Sequence, residues 1–250
     1  MFSCLFILIR SWVGFEMIKA TLFDLGQTLL DSADGFRSAE KEAQKRIFSD
    51  FGFTQWEDFI SNYRRLRTIF QDRSNFSRRA IWKALYEHYD QEPDMRLLER
   101  WEDDYWEKVK AETTLFPETE RVLEILASEY RVALVTNTQG QKTSGKHRLR
   151  QFPELERFFE VIIVAGESGV PPKPDPVPFL LCLERLDIHH SEAVYIGDDW
   201  RIDICGVRNV GIQPIWIQHQ SVHRSWPAVE TSVPIITSLD PLLDLKSILP

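Results

Sequence analysis

Apolar positions along this chain fall into two textures, and the switch between them divides the molecule. Residues 18–23 form a short, mostly apolar run that predicts a buried strand. From Leu30 onward, for about eighty residues, apolar side chains recur at helical steps instead. Phe36, Ala39, Ala43, Ile47 and Phe51 make one stripe. Trp56, Phe59, Ile60, Tyr63, Leu66 and Phe70 make a second, which Thr54-Gln55-Trp56-Glu57 opens in the form of a capping box. A third covers about 76–89 (Ile81, Leu85, Tyr86, Tyr89), and a fourth follows Pro93 (Leu97, Leu98, Trp101, Tyr105, Val109). No alternating β-type run interrupts them, so a helical module is expected.

From about Thr114 the texture alternates. Strands are predicted at 131–136, 161–165, 193–196, 212–217 and, weakly, 234–236. Helices are predicted at 118–128, in a stretch ending near Phe152, and at 177–186, 202–207 and 239–249. Such alternation builds an α/β fold with a parallel sheet covered on both faces. Residues 18–23 would be its first strand, interrupted by the helical insertion.

In a parallel sheet every strand's carboxyl end lies on one edge, where polar groups from distant stretches converge. Asp24 directly follows the first strand and precedes Gly26, Gln27 and Thr28; an Asp before a nearby Gly is also ordinary turn chemistry. Thr136 closes Arg-Val-Ala-Leu-Val-Thr. Lys173 sits in Gly-Val-Pro-Pro-Lys-Pro-Asp-Pro, and Asp198, Asp199 and Asp203 occupy Gly-Asp-Asp-Trp-Arg-Ile-Asp. A nucleophilic carboxylate, a hydroxyl, a lysine and an acidic set suit phosphoryl transfer, with carboxylates holding a hard cation and positive charge on the phosphoryl oxygens.

Read together and in this order, FDLGQT, VTN, KPDP and GDDWRID resemble the four motifs of the haloacid dehalogenase (HAD) superfamily, and the helical insertion after the first is similar to that of its C1-capped, phosphatase-like branch. The resemblance implies an α/β, Rossmann-like parallel core of residues 17–30 and 115–250 with a C1 cap at 31–114. It implies that Asp24 is the nucleophile that forms an aspartyl-phosphate, that Thr136 holds the phosphoryl group, and that Lys173 steadies both. Asn137 and Gln27 would touch substrate. Mg²⁺ would be bound by Asp24, the Gly26 carbonyl and Asp198, with Asp199 or Asp203 in contact with it or just behind. The implied activity is Mg²⁺-dependent hydrolysis of a small phosphorylated metabolite, such as a sugar phosphate or nucleotide.

One position departs from that pattern. Phosphatases of the family generally carry a second aspartate two residues after the nucleophile, as general acid and base, and here Gly26 stands there. Glycine keeps the metal-binding carbonyl but removes a proton donor worth roughly 10²–10⁴-fold. Two alternatives follow: a 2-haloacid dehalogenase, whose pattern has an aromatic residue there and no acidic cluster, and a weakly catalytic phosphate-binding or regulatory protein.

The remaining features rank lower. With 250 residues, 43% hydrophobic and 27% charged, the chain has room for one core plus an insertion and a soluble composition. A net charge of −8 argues against nucleic acid and anionic membranes as partners. Cys4, Cys182 and Cys205 are odd in number and widely spaced, which fits a reducing cytoplasm. Residues 1–16 are apolar but broken by Arg10, too short to span a bilayer, and expected to be a dispensable extension before Met17. His219 and His223 are expected in a surface loop; Arg64, Arg65, Arg67, Arg78 and Arg79 could reach an anionic substrate from the helical insertion, with a solvated helix face expected for most of them. Trp56, Trp82, Trp101 and Trp106 are expected in the core of the helical module, and Asp31 and Asp34 in capping or hinge duty.

Overall fold

The structure is a computed structural model that describes residues 17–138, 149–222 and 226–249. The sixteen-residue leader, part of the helical stretch expected before Phe152, and His223 lie outside the described residues.

Six strands form one parallel sheet: β1 (Ala20–Phe23), β4 (Arg131–Asn137), β5 (Val161–Ala165), β6 (Ala193–Gly197), β7 (Gln213–Ile217) and β8 (Ile235–Ile236). Their order is β5-β4-β1-β6-β7-β8, so β1 occupies the middle with β4 on one side and β6 on the other. Every residue of β1 is buried, as a central strand covered on both faces requires. The core is an α/β, Rossmann-like sheet with apolar layers on either side. One layer holds Phe23, Leu134 and Ile196 with helix α5 (Thr119–Glu129); the other holds Leu22, Ala133 and Tyr195 with helix α6 (Val177–Leu186).

Between β1 and α5 the chain leaves the sheet to form four helices, α1 (Ala33–Asp50), α2 (Trp56–Asp72), α3 (Arg78–His88) and α4 (Met95–Ala111). It departs through β2 (Leu30–Asp31) and returns through β3 (Thr114–Leu115), which pair antiparallel, so both crossings are tied into one short ribbon. The four apolar stripes close on each other around Ile47, Phe59, Trp82 and Tyr105 in a core separate from those of the sheet. Trp82 and Trp106 are buried in that core, and Trp56 and Trp101 pack against it. Gly35 lets α1 and α4 approach closely, since a Cβ there would lie 2.8 Å from the Val109 carbonyl oxygen.

Helix starts follow local chemistry, with one correction. Asp94 accepts from the Arg96 and Leu97 N–H groups at the head of α4, and Ser77 accepts from Ala80 at α3. The expected capping box at Thr54 does not form. Helix α2 opens at Trp56 with Gln55 at the cap position and no side-chain bond there, and Glu57 and Asp58 sit in the first turn, where the helix dipole favours negative charge. The expected helix at 239–249 is split, because Asp244 leaves helical geometry (φ −129°, ψ 68°) between Asp240–Asp244 and Leu245–Ile248. Among the described residues no helix is long and apolar enough to cross a membrane.

Candidate active site

The central position of β1 decides where the site forms. Asp24 continues β1, Thr136 and Asn137 end β4, and Asp198 follows β6, so three neighbouring strands deliver these residues side by side. All four are buried, and Asp24 is held to β6 by its N–H bonding the Ile196 carbonyl at 2.9 Å. Together with Gly26 and Lys173 they line the floor of a cavity of about 500 Å³ between the sheet edge and the helical module.

Lys173 reaches the floor from the loop between β5 and α6. Its ammonium group is 1% exposed and lies 2.8 Å from Asp24 Oδ1, 2.7 Å from Asp203 Oδ1, 2.8 Å from the Tyr195 hydroxyl and 2.9 Å from the Val135 carbonyl. Three protons thus serve four oxygen acceptors. Burial alone would lower the lysine pKa, but Asp203 and Asp24 outweigh it and the net shift is upward, so the group is a fixed cation. For Asp203 burial acts in the other direction, raising its pKa to about 6 against the pull of Lys173.

The acidic set divides. Carboxylate oxygens of Asp24, Asp198 and Asp203 lie within 4.8 Å of one another, and hard, buried oxygen donors at that spacing suit a small divalent cation. Asp203 is already heavily engaged: Oδ1 takes Lys173 and Tyr195, and Oδ2 accepts from the Asp199 N–H at 3.0 Å. The side chain of Asp199 turns away, accepting from the Arg201 and Ile202 N–H groups at the start of a π-helical turn, Trp200–Ile204. Asp199 therefore caps that turn, and the turn swings Asp203 back under the sheet edge. Of the two acids expected in contact with the cation or just behind it, Asp203 lies in the cluster with Asp24 and Asp198, and Asp199 lines the cavity while its side chain caps the turn.

The two residues expected to touch substrate, Asn137 and Gln27, both line the cavity and also bond to the protein around it. Asn137 gives both ends of its amide to Lys173, accepting from the backbone N–H at 2.8 Å and donating to the carbonyl at 3.2 Å. It lines the cavity and fixes the lysine loop. Gln27 carries the left-handed backbone of the turn (φ 62°), and its amide faces the start of α1 at Ser32 and Ala33. Asp31 adds a carboxylate to the same N-terminus through the Ala33 N–H at 3.1 Å, and exposed Asp34 pairs with Arg37.

Two contributors went unread in the sequence. Tyr195 is indistinguishable from a core residue of an apolar strand, yet its hydroxyl joins Lys173 to Asp203. Gly197 leaves room for Asp203: a Cβ there would stand 2.6 Å from both Cβ and Cγ of that aspartate. Its place ahead of Asp198 was the available signal. Gly197→Ala is expected to push Asp203 off Lys173 and lower turnover at least about tenfold, the scale of one lost charged hydrogen bond. Kinetics of the folded variant check this, and an unchanged rate would remove Asp203 from the working site.

One surface expectation is corrected, and two of the five arginines fall outside the solvated majority. His219 is buried, stacks on Phe116 at 3.5 Å, and bonds the Thr28 carbonyl at 3.0 Å through Nε2. Burial lowers its pKa, so it is a neutral strut between the loop after β7 and the loop after β1. Arg78 is 4% exposed and lines the upper wall of the cavity, as does half-buried Arg67. The apolar neighbours that bury them come from other helices of the module, which a single helix's pattern does not reveal.

With this geometry in hand, comparison with known proteins settles the family. Residues 18–211 match the family described as haloacid dehalogenase-like hydrolase. The chain belongs to that family. Among relatives of this HAD-like hydrolase, phosphoglycolate phosphatase from Nitrosospira multiformis is 30% identical, over 72% of this chain and 75% of its own. N-acylneuraminate-9-phosphatase from Rattus norvegicus is 25% identical, over 82% and 84%. Among solved structures, a 2-haloacid dehalogenase from Pseudomonas syringae pv. Tomato DC3000 is 26% identical with a TM-score of 0.61, covering 92% of this chain and 99% of that one. A putative β-phosphoglucomutase from Thermotoga maritima shares the fold at 19% identity and a TM-score of 0.64, over 93% and 100%. The protein is thus a HAD-like enzyme of the phosphatase-like branch, a hydrolase of phosphorylated substrates.

Proposed function

We propose that this enzyme is a Mg²⁺-dependent phosphatase of a small phosphomonoester that works through an aspartyl-phosphate on Asp24. The observation that carries the reading is the buried convergence of Asp24, Asp198 and Lys173 on one cavity floor. Asp24 attacks phosphorus and the ester oxygen leaves; water then attacks the same phosphorus and releases Asp24 and inorganic phosphate. Lys173 keeps the attacking carboxylate oriented, and Thr136 offers a hydroxyl to the phosphoryl oxygens. Asp24, Asp198 and the Gly26 carbonyl would hold Mg²⁺, and Asp203 braces Lys173 behind them. The cation supplies charge neutralisation to the phosphoryl oxygens. Residues 31–114 act as the cap that shields the cavity from water, over a core of 17–30 and 115–250.

Gly26 leaves the leaving oxygen without the usual neighbouring acid, so esters of acidic alcohols should react faster than simple alkyl esters. A dehalogenase reading, for which the Pseudomonas likeness speaks, gives Asp198 no work to do. The phosphatase names among the relatives favour phosphate.

A panel of alkyl, aryl and sugar phosphates and 2-haloacids, assayed with and without Mg²⁺, tests this reading. Phosphate release that needs Mg²⁺ and runs faster on aryl than alkyl esters is expected. Halide release without metal would overturn it.

A further inference from the structure

The two ends of the cavity carry opposite charge. On the floor, Asp24 and Asp198, with Asp203 behind them, outnumber Lys173. On the cap side Arg67, Arg78 and Lys41 face the same space against Glu40. A cation-bound phosphate fits the floor, and the far wall must then receive whatever the substrate carries at its other end.

That wall is unfinished. Arg78 lies over the Tyr105 ring, 4.9 Å from its centroid, and donates through Nη1 to the Phe76 carbonyl at 3.0 Å. Its Nε stands 3.4 Å from Glu40 Oε2 without making a hydrogen bond. Arg67 Nη1 stands 3.7 Å from Glu40 Oε1, and neither Arg67 Nε nor Glu40 Oε1 has a hydrogen-bond partner. The Tyr105 hydroxyl donates to Glu40 Oε2 at 3.2 Å. Two guanidinium groups therefore share one carboxylate loosely, with donors left over in a buried position where polar groups are normally satisfied. If Glu40 served only to neutralise Arg78, Arg67 would still face the cavity as surplus positive charge. A guanidinium fork takes a carboxylate or phosphate two-pronged, which a neutral hydroxyl cannot match.

Resting on the phosphatase reading, we propose that the substrate is a phosphomonoester bearing a second anionic group, carboxylate or phosphate, which Arg67 and Arg78 hold at the cap end while the first phosphate reacts at Asp24. Glu40 positions the two arginines and excludes substrates that are neutral at that end, since they leave the surplus charge unpaired.

Straight-chain alkyl phosphates of three to six carbons, ending in hydroxyl, carboxylate or a second phosphate, test this with the full chain and Mg²⁺. At the best length an anionic end should raise kcat/KM about 10- to 100-fold over hydroxyl, mainly through KM, on the scale of a charged hydrogen bond. Which anion gains more identifies the group. Arg67→Gln and Arg78→Lys should each shrink that preference to within a few-fold. Arg67, half-exposed, carries the test should Arg78→Lys fail to fold. Equal kcat/KM for neutral and anionic ends at every length, or a preference untouched by Arg67→Gln, overturns the inference while leaving the phosphatase reading intact. No turnover in any series removes both.

Discussion

Asp24→Asn is expected to lose at least about 10³-fold in turnover while keeping its fold, because an amide cannot form the acyl phosphate and loss of a nucleophile removes the whole covalent route. The geometry explains why stability should survive. An asparagine oxygen can still accept from Lys173 at the place where Asp24 Oδ1 now does, 2.8 Å away. Asp203 continues to neutralise the lysine from 2.7 Å. The floor holds three carboxylates, Asp24, Asp198 and Asp203, against one ammonium, so removing a negative charge relieves repulsion. Melting temperature without added metal should stay level or rise. Steady-state rates and thermal melts of the same preparation decide it; a folded variant within tenfold of the parent enzyme would eliminate Asp24 as nucleophile.

Lys173→Met should do the opposite kind of damage. Methionine fills much of the lysine's volume, so the effect isolates charge. It leaves Asp24 and Asp203 facing each other without the cation and strips a donor from Tyr195 and Val135. Breaking a buried pair from one side costs about 3–5 kcal/mol. For a molecule whose total stability is of order 5–15 kcal/mol that is a large fraction. Urea unfolding should show it as a lower midpoint at unchanged slope, together with loss of turnover. Adding Asp203→Asn to Lys173→Met should recover part of the stability, because the stranded charge is then gone. A cost below about 1 kcal/mol, or no recovery in the double variant, would mean that water already screens the lysine.

Much of this molecule was legible in its residues because the signals were local and periodic. Strand texture at 18–23, 131–136, 193–196 and 212–217 reflects burial on both faces, which leaves apolar runs whatever the order of strands, and the edge strand at 161–165 is apolar with alternate residues only half-buried. Four amphipathic stripes announced α1 to α4. Asp24, Thr136, Lys173 and Asp198 could be picked out as polar groups beside apolar strands, and the order of their motifs pointed to the family. Local signals misled where a competing partner existed. Thr54 promised a cap that α2 does not use, and the tail helix broke at Asp244.

What no local pattern carried is which side chains meet. Asp199 and Asp203 are both acids of one motif, yet a π-helical turn makes the first a helix cap and the second the buried partner of Lys173. Asn137 lines the cavity, and no local pattern shows that the lysine loop, thirty-six residues away, also takes its amide. Tyr195 became polar machinery only because its strand neighbours β1 and Lys173 crosses beneath it. Arg78 departs from the solvated face expected for most of the five arginines because Tyr105 and Trp106 of another helix close over it. The sequence by itself determined most of the elements and the polar residues of the cavity floor, since hydrophobic period and strand-end polarity are properties of single segments. Tertiary structure alone decided how those groups divide the labour, because a hydrogen bond or ion pair is made by whichever partner the fold brings within about 3 Å.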